Sequence, residues 1–172
     1  MENAWAIDSN ESDVLIKSRH SLLGYMPGNK NNFKGHVAIQ NDEVEYASIE
    51  FSLNVNDKTI HSNPQKNEMK LIDLFEENET PMIKFKSTSF QKISKNLNFL
   101  KGFLTIKNIT KVVELDTEFI GYNNYNGVQK ASFEITGNFN RKEFGLNSNT
   151  HHHDGHPIGR DIKLIPNLEF SH

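Results

Sequence analysis

The chain has no cysteine. That excludes disulfides, thiolate catalysis and zinc or iron–sulfur centres with Cys ligands, and it fits either redox environment. No run approaches the roughly 18 consecutive apolar residues of a membrane-spanning helix. No long basic run appears and the net charge is −3, so a nucleic-acid partner has little electrostatic support. The opening MENAWAIDSNES has neither a basic n-region nor an apolar h-region, unlike a signal peptide. A cytoplasmic protein is expected, with a periplasmic one that lacks its leader as the alternative. Glycine-rich phosphate loops, HExxH and the GxSxG elbow are all missing. Tryptophan occurs once and tyrosine four times, against 12 phenylalanines in 172 residues. So much Phe in a polar chain points to a concentrated apolar interior, either packed or hollow.

What is present is alternation. ASIEFSLNV sets Ile49, Phe51, Leu53 and Val55 on one face and Ser48, Glu50, Ser52 and Asn54 on the other, the period of a half-buried strand. KASFEITGNF repeats it with Ala131, Phe133, Ile135 and Phe139, and Gly137 falls in phase, where a strand bends or another group approaches closely. Val113, Leu115, Thr117 and Phe119 form a third such row, and Ile162, Leu164, Leu168 and Phe170 a fourth. Pro166 marks that last run as an edge strand or a bulge. Further strands are expected over 13–20, 34–40, 82–90 and 97–106. Turn residues fall between them in PGNKNN, QNDE and YNNYNG. KNIT at 107–110 reads as a tight hairpin in which Asn108 is best able to take a positive φ.

One segment differs. In NPQKNEMKLIDLFEENETP, Leu71, Leu74 and Phe75 follow helical spacing, Pro64 suits a first helical position and Pro81 lies beyond the end. A short helix over roughly 64–77 is expected. About eight strands and one helix in a single domain, 1–172, suggest a closed antiparallel barrel or a two-sheet sandwich. Small inward residues among the Phe side chains, Ser18, Ala131 and Gly137, hint at internal space.

Chemistry-bearing clusters are few. The carboxylates are scattered, as on a solvated surface. His20 shares the inward face of Val14, Ile16 and Ser18, either as a polar group orienting a ligand or as a buried histidine bonded to backbone. Four of the eight histidines crowd into THHHDGHPIGRD. The cluster is internal and interrupted, unlike a tag. His151 and His153 can converge on an extended segment, and Asp154 or His156 could complete a site for Zn, Ni or Cu. The alternative is an exposed loop of neutral imidazoles.

Five pieces, in order, resemble the YceI-like family: WAIDSNESDVLIKSRH with Trp5, Ile7, Asp8 and His20; FKG at 33–35; LIDLFEENETPMIKFKSTSF with Asp73, Phe75, Pro81, Phe85 and Ser87; GFLTIKNITKVVELDTEF with Gly102, Leu104, Thr105, Ile106, Thr110 and Lys111; and NRKEFGLN with Arg141, Glu143, Phe144 and Gly145. Departures are Asn108 where the family has Gly, and Glu68 and Met69 in QKNEM where it has His and Leu. The resemblance implies an extended eight-stranded antiparallel lipocalin-like barrel, a helix near one opening and a tubular apolar cavity. It implies a non-catalytic carrier of a long isoprenoid-type lipid or quinone, with a bound isoprenoid or fatty-acyl lipid rather than a cofactor. The strand reading then supplies lining candidates: Ile16, Ser18, His20, Phe51, Leu53, Phe85, Leu104, Leu115, Phe133 and Ile135, with Leu71, Leu74 and Phe75 of the helix as a lid. His20 is the candidate for selecting the head group. The alternative from another class is a metal-binding protein or metal-dependent enzyme using His151, His153 and His156. A third is a filled barrel that binds nothing. Rims and an edge near Pro166 offer a route to a homodimer.

Overall fold

The computed structural model describes residues 4–18, 22–28, 32–54, 82–95, 97–146 and 161–172. Ten strands form one antiparallel sheet: β1 (Ala4–Ile7), β2 (Asp13–Lys17), β3 (Leu22–Pro27), β4 (Phe33–Gln40), β5 (Glu43–Asn54), β6 (Met82–Lys92), β7 (Leu97–Ile106), β8 (Ile109–Tyr125), β9 (Val128–Asn140) and β10 (Asp161–Ser171). The sheet closes on itself. β1 pairs with β4 on one side and with β10 on the other, through Ala4↔Ala38 and Ile7↔Phe170. β2 pairs with the same edge of β10, through Asp13↔Asn167 and Lys17↔Lys163. β1 and β2 are therefore one strand position interrupted by the 3-10 turn Ser9–Glu11, and β3 and β4 follow β2 and β1 around the wall in the same way. Ten segments thus occupy eight positions, a closed barrel rather than a sandwich.

The interruption is patched by a side chain. Asp8 N–H bonds to Glu169 O, and beyond the turn the buried Ser12 hydroxyl donates to Asp8 O at 2.8 Å and accepts from Glu169 N–H at 3.1 Å. One hydroxyl replaces the ladder bonds that the inserted turn removes.

Three hairpins turn in two residues, both with positive φ: Asn41 and Asp42, Lys107 and Asn108, Asn126 and Gly127. Such turns match the right-handed twist of their flanking strands. The sequence reading expected positive φ at Asn108, and the structure adds Lys107. Register shifts at Ile16/Lys17, Ala38/Ile39, Ser87/Ser89 and Phe119/Gly121 supply local bends in the wall.

Several expectations change. The strand expected over 13–20 ends at Lys17, and Leu22–Pro27, read as no strand, is β3. Pro166 does not sit on an edge: β10 is paired on both sides, to β9 and to β1 and β2, and keeps one register with each of β9 and β2 across the proline. Pairing with β9 lapses at Ile165 and Pro166, where a residue without an N–H costs the ladder least. That segment offers no free edge for a second protomer. The helix expected over 64–77 lies outside the described residues.

Candidate functional site

The barrel interior is built by alternation. In β7, Asn98, Leu100, Gly102, Leu104 and Ile106 are buried, while Leu97, Lys101 and Phe103 are exposed. β5 and β9 show the same period, so every second side chain enters the interior. Of the lining candidates, Ile16, Ser18, Phe51, Leu53, Phe85, Leu104, Leu115, Phe133 and Ile135 are all buried. His20, Leu71, Leu74 and Phe75 lie outside the described residues, as do His151, His153 and His156.

Register brings the buried candidates into rows. Phe33, Phe51, Phe85 and Leu104 are successive cross-strand partners from β4 to β7. Their rings are in contact, with centroids 5.7 Å apart for Phe33 and Phe51 and 5.5 Å for the stacked pair Phe51 and Phe85. Leu53 lies opposite Ile83, and Ile83 opposite Ile106. A third row runs Ile16, Leu164 and Gly137, and a fourth Asn98, Thr117 and Ile135.

The small residues do not simply mark empty room. A Cβ on Gly137 would overlap Leu115 Cδ2, and one on Gly102 would lie 2.7 Å from Phe85 Cζ. Neighbouring large side chains use the volume that these glycines leave, so the hint of space at Gly137 is corrected. Where the chain's two ends meet, His172, Trp5, Tyr122, Phe119, Phe133 and Phe170 form an unbroken series of ring contacts with centroids 4.9–5.7 Å apart. This aromatic cluster lies at that end of the barrel, with Trp5, Phe133 and Phe170 buried and Tyr122 exposed. At the opposite end lie Ser18, the Lys107–Asn108 turn, and the strand ends Asn54, Met82 and Asp161.

Charge is kept out. Arg141 is the only buried charged residue among the described residues, and its guanidinium donates to Leu146 O at 2.8 Å. The segment carrying Arg141, Glu143, Phe144 and Gly145 is a 3-10 turn whose Phe144 ring packs on Phe139, and Lys107 Nζ donates to Gly145 O at 3.1 Å. Arg141, Phe144 and Gly145 of that motif are thus held in structural contacts, and the Lys107 bond ties the turn after β9 to the β7–β8 hairpin. The ion pairs named among the described residues are exposed or half-buried. Lys92 bridges Glu43 and Glu45, which raises the lysine pKa and lowers that of Glu43. Lys130 pairs with Asp8 at 3.2 Å, and that hydrogen bond raises its pKa. Tyr25 donates to Asp13 at 3.1 Å, and its phenol pKa is raised by burial first and by the Asp13 charge second. No group of three or more His, Cys, Asp or Glu that could hold a metal occurs among the described residues.

Besides Ser18, two buried polar residues interrupt the apolar wall. Asn98 and Thr117 are 0% and 1% exposed and directly opposite across β7 and β8. Asn98 Nδ2, Asn98 Oδ1 and Thr117 Oγ1 have no hydrogen-bond partner among the described residues. The sequence reading placed Thr117 on an inward face without giving it a role, and it passed over Asn98. The available signal was phase: Asn98 stands six residues before Leu104, a lining candidate on the same strand face.

The family model described as the YceI-like domain matches residues 5–170. A UPF0312 protein of Staphylococcus aureus (strain bovine RF122 / ET3-1) is 27% identical, over 97% of this chain and 96% of its own. Another, from strain USA300, is 28% identical with the same coverage. The crystal structure of the Campylobacter jejuni YCEI protein aligns with a TM-score of 0.59 at 19% identity, over 87% of this chain and 84% of that one. Burkholderia cenocepacia BcnA aligns with a TM-score of 0.62 at 15% identity, over 95% and 98%. At those identities the structures show a shared fold.

Proposed function

The chain belongs to the YceI-like domain family, and from that premise we propose that it is a non-catalytic carrier of a long apolar isoprenoid-type lipid or quinone. Family membership and the barrel neighbours suggest a binding protein. The observation that carries the finer reading is the inward face itself. Strand after strand sends Phe, Leu and Ile inward, while among the described residues the charged side chains are not buried except at Arg141, which binds backbone. A prenyl chain in water is unfavourable by about 25 cal/mol for each Å² of exposed apolar surface, and a dry tube of such side chains removes that surface from water. A reaction centre needs positioned acids, bases or nucleophiles, and the described interior presents instead an apolar wall with few polar groups. The ligand would be a bound isoprenoid or fatty-acyl lipid, with Phe51, Phe85 and Leu104 along its path.

The test is native mass spectrometry of untagged protein purified without immobilised metal, followed by organic extraction. A prenyl or acyl species at near one per chain is the expected result. Protein that carries nothing and takes up nothing from a lipid extract refutes the carrier.

A further inference from the structure

The Asn98–Thr117 pair is at odds with a simply greasy tube. Both side chains are buried, both point into the barrel, and three of their polar atoms lack partners among the described residues. A buried polar atom left unpaired costs about 1–3 kcal/mol, and native proteins rarely leave several together. The two do not satisfy each other, although they face each other across the ladder. Their surroundings are apolar: Leu100 and Leu115 lie next along the inward faces of β7 and β8, Ile135 lies opposite Thr117, and Phe119 follows towards the aromatic end. None of the described residues supplies their partner, and both side chains face the barrel interior.

We infer that Asn98 and Thr117 form a polar subsite that binds an uncharged hydrogen-bonding group of the ligand, such as an amide, a hydroxyl or a quinone carbonyl. This deepens the carrier reading and rests on it. The carboxamide presents a donor and an acceptor side by side, and the hydroxyl can do either. A group that both accepts and donates satisfies all three atoms. A charged head group does not fit, because an ion taken out of water needs a paired charge. The one buried cation among the described residues, Arg141, stands six residues from Ile135, just past the end of β9 and about 20 Å away at strand rise, and donates to Leu146 O. The ligand therefore seats its uncharged polar group near the β6–β7 turn, below the aromatic cluster. Its apolar chain runs from there past Leu115 towards the opposite end.

The test compares two probes of equal chain length, octadecanamide and octadecane, on the delipidated full chain. Native mass spectrometry reads the bound fraction of each. Comparing the amide-to-alkane ratio between proteins cancels the probes' own partitioning. The double variant N98L/T117V is expected to lower that ratio about tenfold or more while octadecane uptake stays level. Should the double variant not fold, T117V alone, nearly identical in shape, decides the matter with a smaller drop in the same direction. An unchanged ratio with both probes still bound overturns the subsite and leaves the carrier standing. No uptake of either probe by the unaltered protein overturns both. A crystal structure of amide-loaded protein with the amide away from Asn98 and only water on the pair likewise overturns the subsite.

Discussion

Single residues hold this barrel at places where its ladder fails. Ser12 is the clearest case, because its hydroxyl serves both Asp8 O and Glu169 N–H across the β1–β2 break. Ser12→Ala leaves the Glu169 amide facing a methyl group in a buried position. We expect a loss of about 1–3 kcal/mol in urea unfolding with an unchanged m-value. Gly137 and Leu115 form a second residue-scale unit, since the leucine uses the place of the missing side chain. Gly137→Ala overpacks that place and should cost about 1–3 kcal/mol, whereas in a Leu115→Ala background the same change should cost markedly less. A double-mutant cycle by chemical denaturation measures the difference, and additive losses would contradict the packing described. Leu115 and Gly137 were both legible in the sequence as inward residues. Their mutual contact was not, because alternation gives the face of a side chain and not its neighbour across the sheet. Asn98 was missed for a related reason. In LNFLKGFLTI both phases carry large apolar residues, Leu97, Phe99 and Phe103 in one and Leu100, Leu104 and Ile106 in the other. Leu104 was read as inward, which puts Asn98 on the same face, but a lone polar side chain in that face gives no apolar signal of its own.

The long strands were readable element by element. β5, β9 and β10 carry clean alternation over most of their length, and a half-buried antiparallel wall requires that pattern. β3 was not readable. LLGYMP has adjacent leucines, a glycine and a proline, and its identity as a strand comes from pairing with β2, a tertiary cause absent from its own composition. Turn chemistry was legible in part. Asn-Gly at 126–127 is the strongest short signal for a two-residue hairpin, whereas Lys107 enters a left-handed conformation only because the flanking register demands it. That demand gives an element-scale prediction. Asn108 has φ 65°, a region glycine enters without a Cβ penalty. Asn108→Gly should leave the β7–β8 pairing intact and raise the thermal midpoint, by a stabilisation below about 1 kcal/mol. A lowered midpoint would mean that the asparagine side chain has a role beyond the turn.

The whole molecule is held shut by one seam, where β10 meets β1 and β2. Tyr25 on β3 and Asn167 on β10 both donate to the Asp13 carboxylate of β2, and Lys130 on β9 reaches over to Asp8 just past β1. Two of these groups titrate in the alkaline range, and their signs agree. Lys130 has a raised pKa, so its contribution is complete below the unfolded lysine value of about 10.4 and is lost as pH rises through the higher folded value. Tyr25 is an acid whose folded pKa is raised, chiefly by burial and then by Asp13. Above the unfolded tyrosine value of about 10 the unfolded chain ionises first and binds fewer protons than the native one, so stability falls there too. The urea midpoint should therefore drop above about pH 10. Tyr25→Phe should start lower, having lost the bond to Asp13, but decline less steeply over that alkaline range. Parallel declines in the two proteins would show that Tyr25 titrates as freely in the closed barrel as in the open chain, and that the seam is not where alkaline unfolding begins.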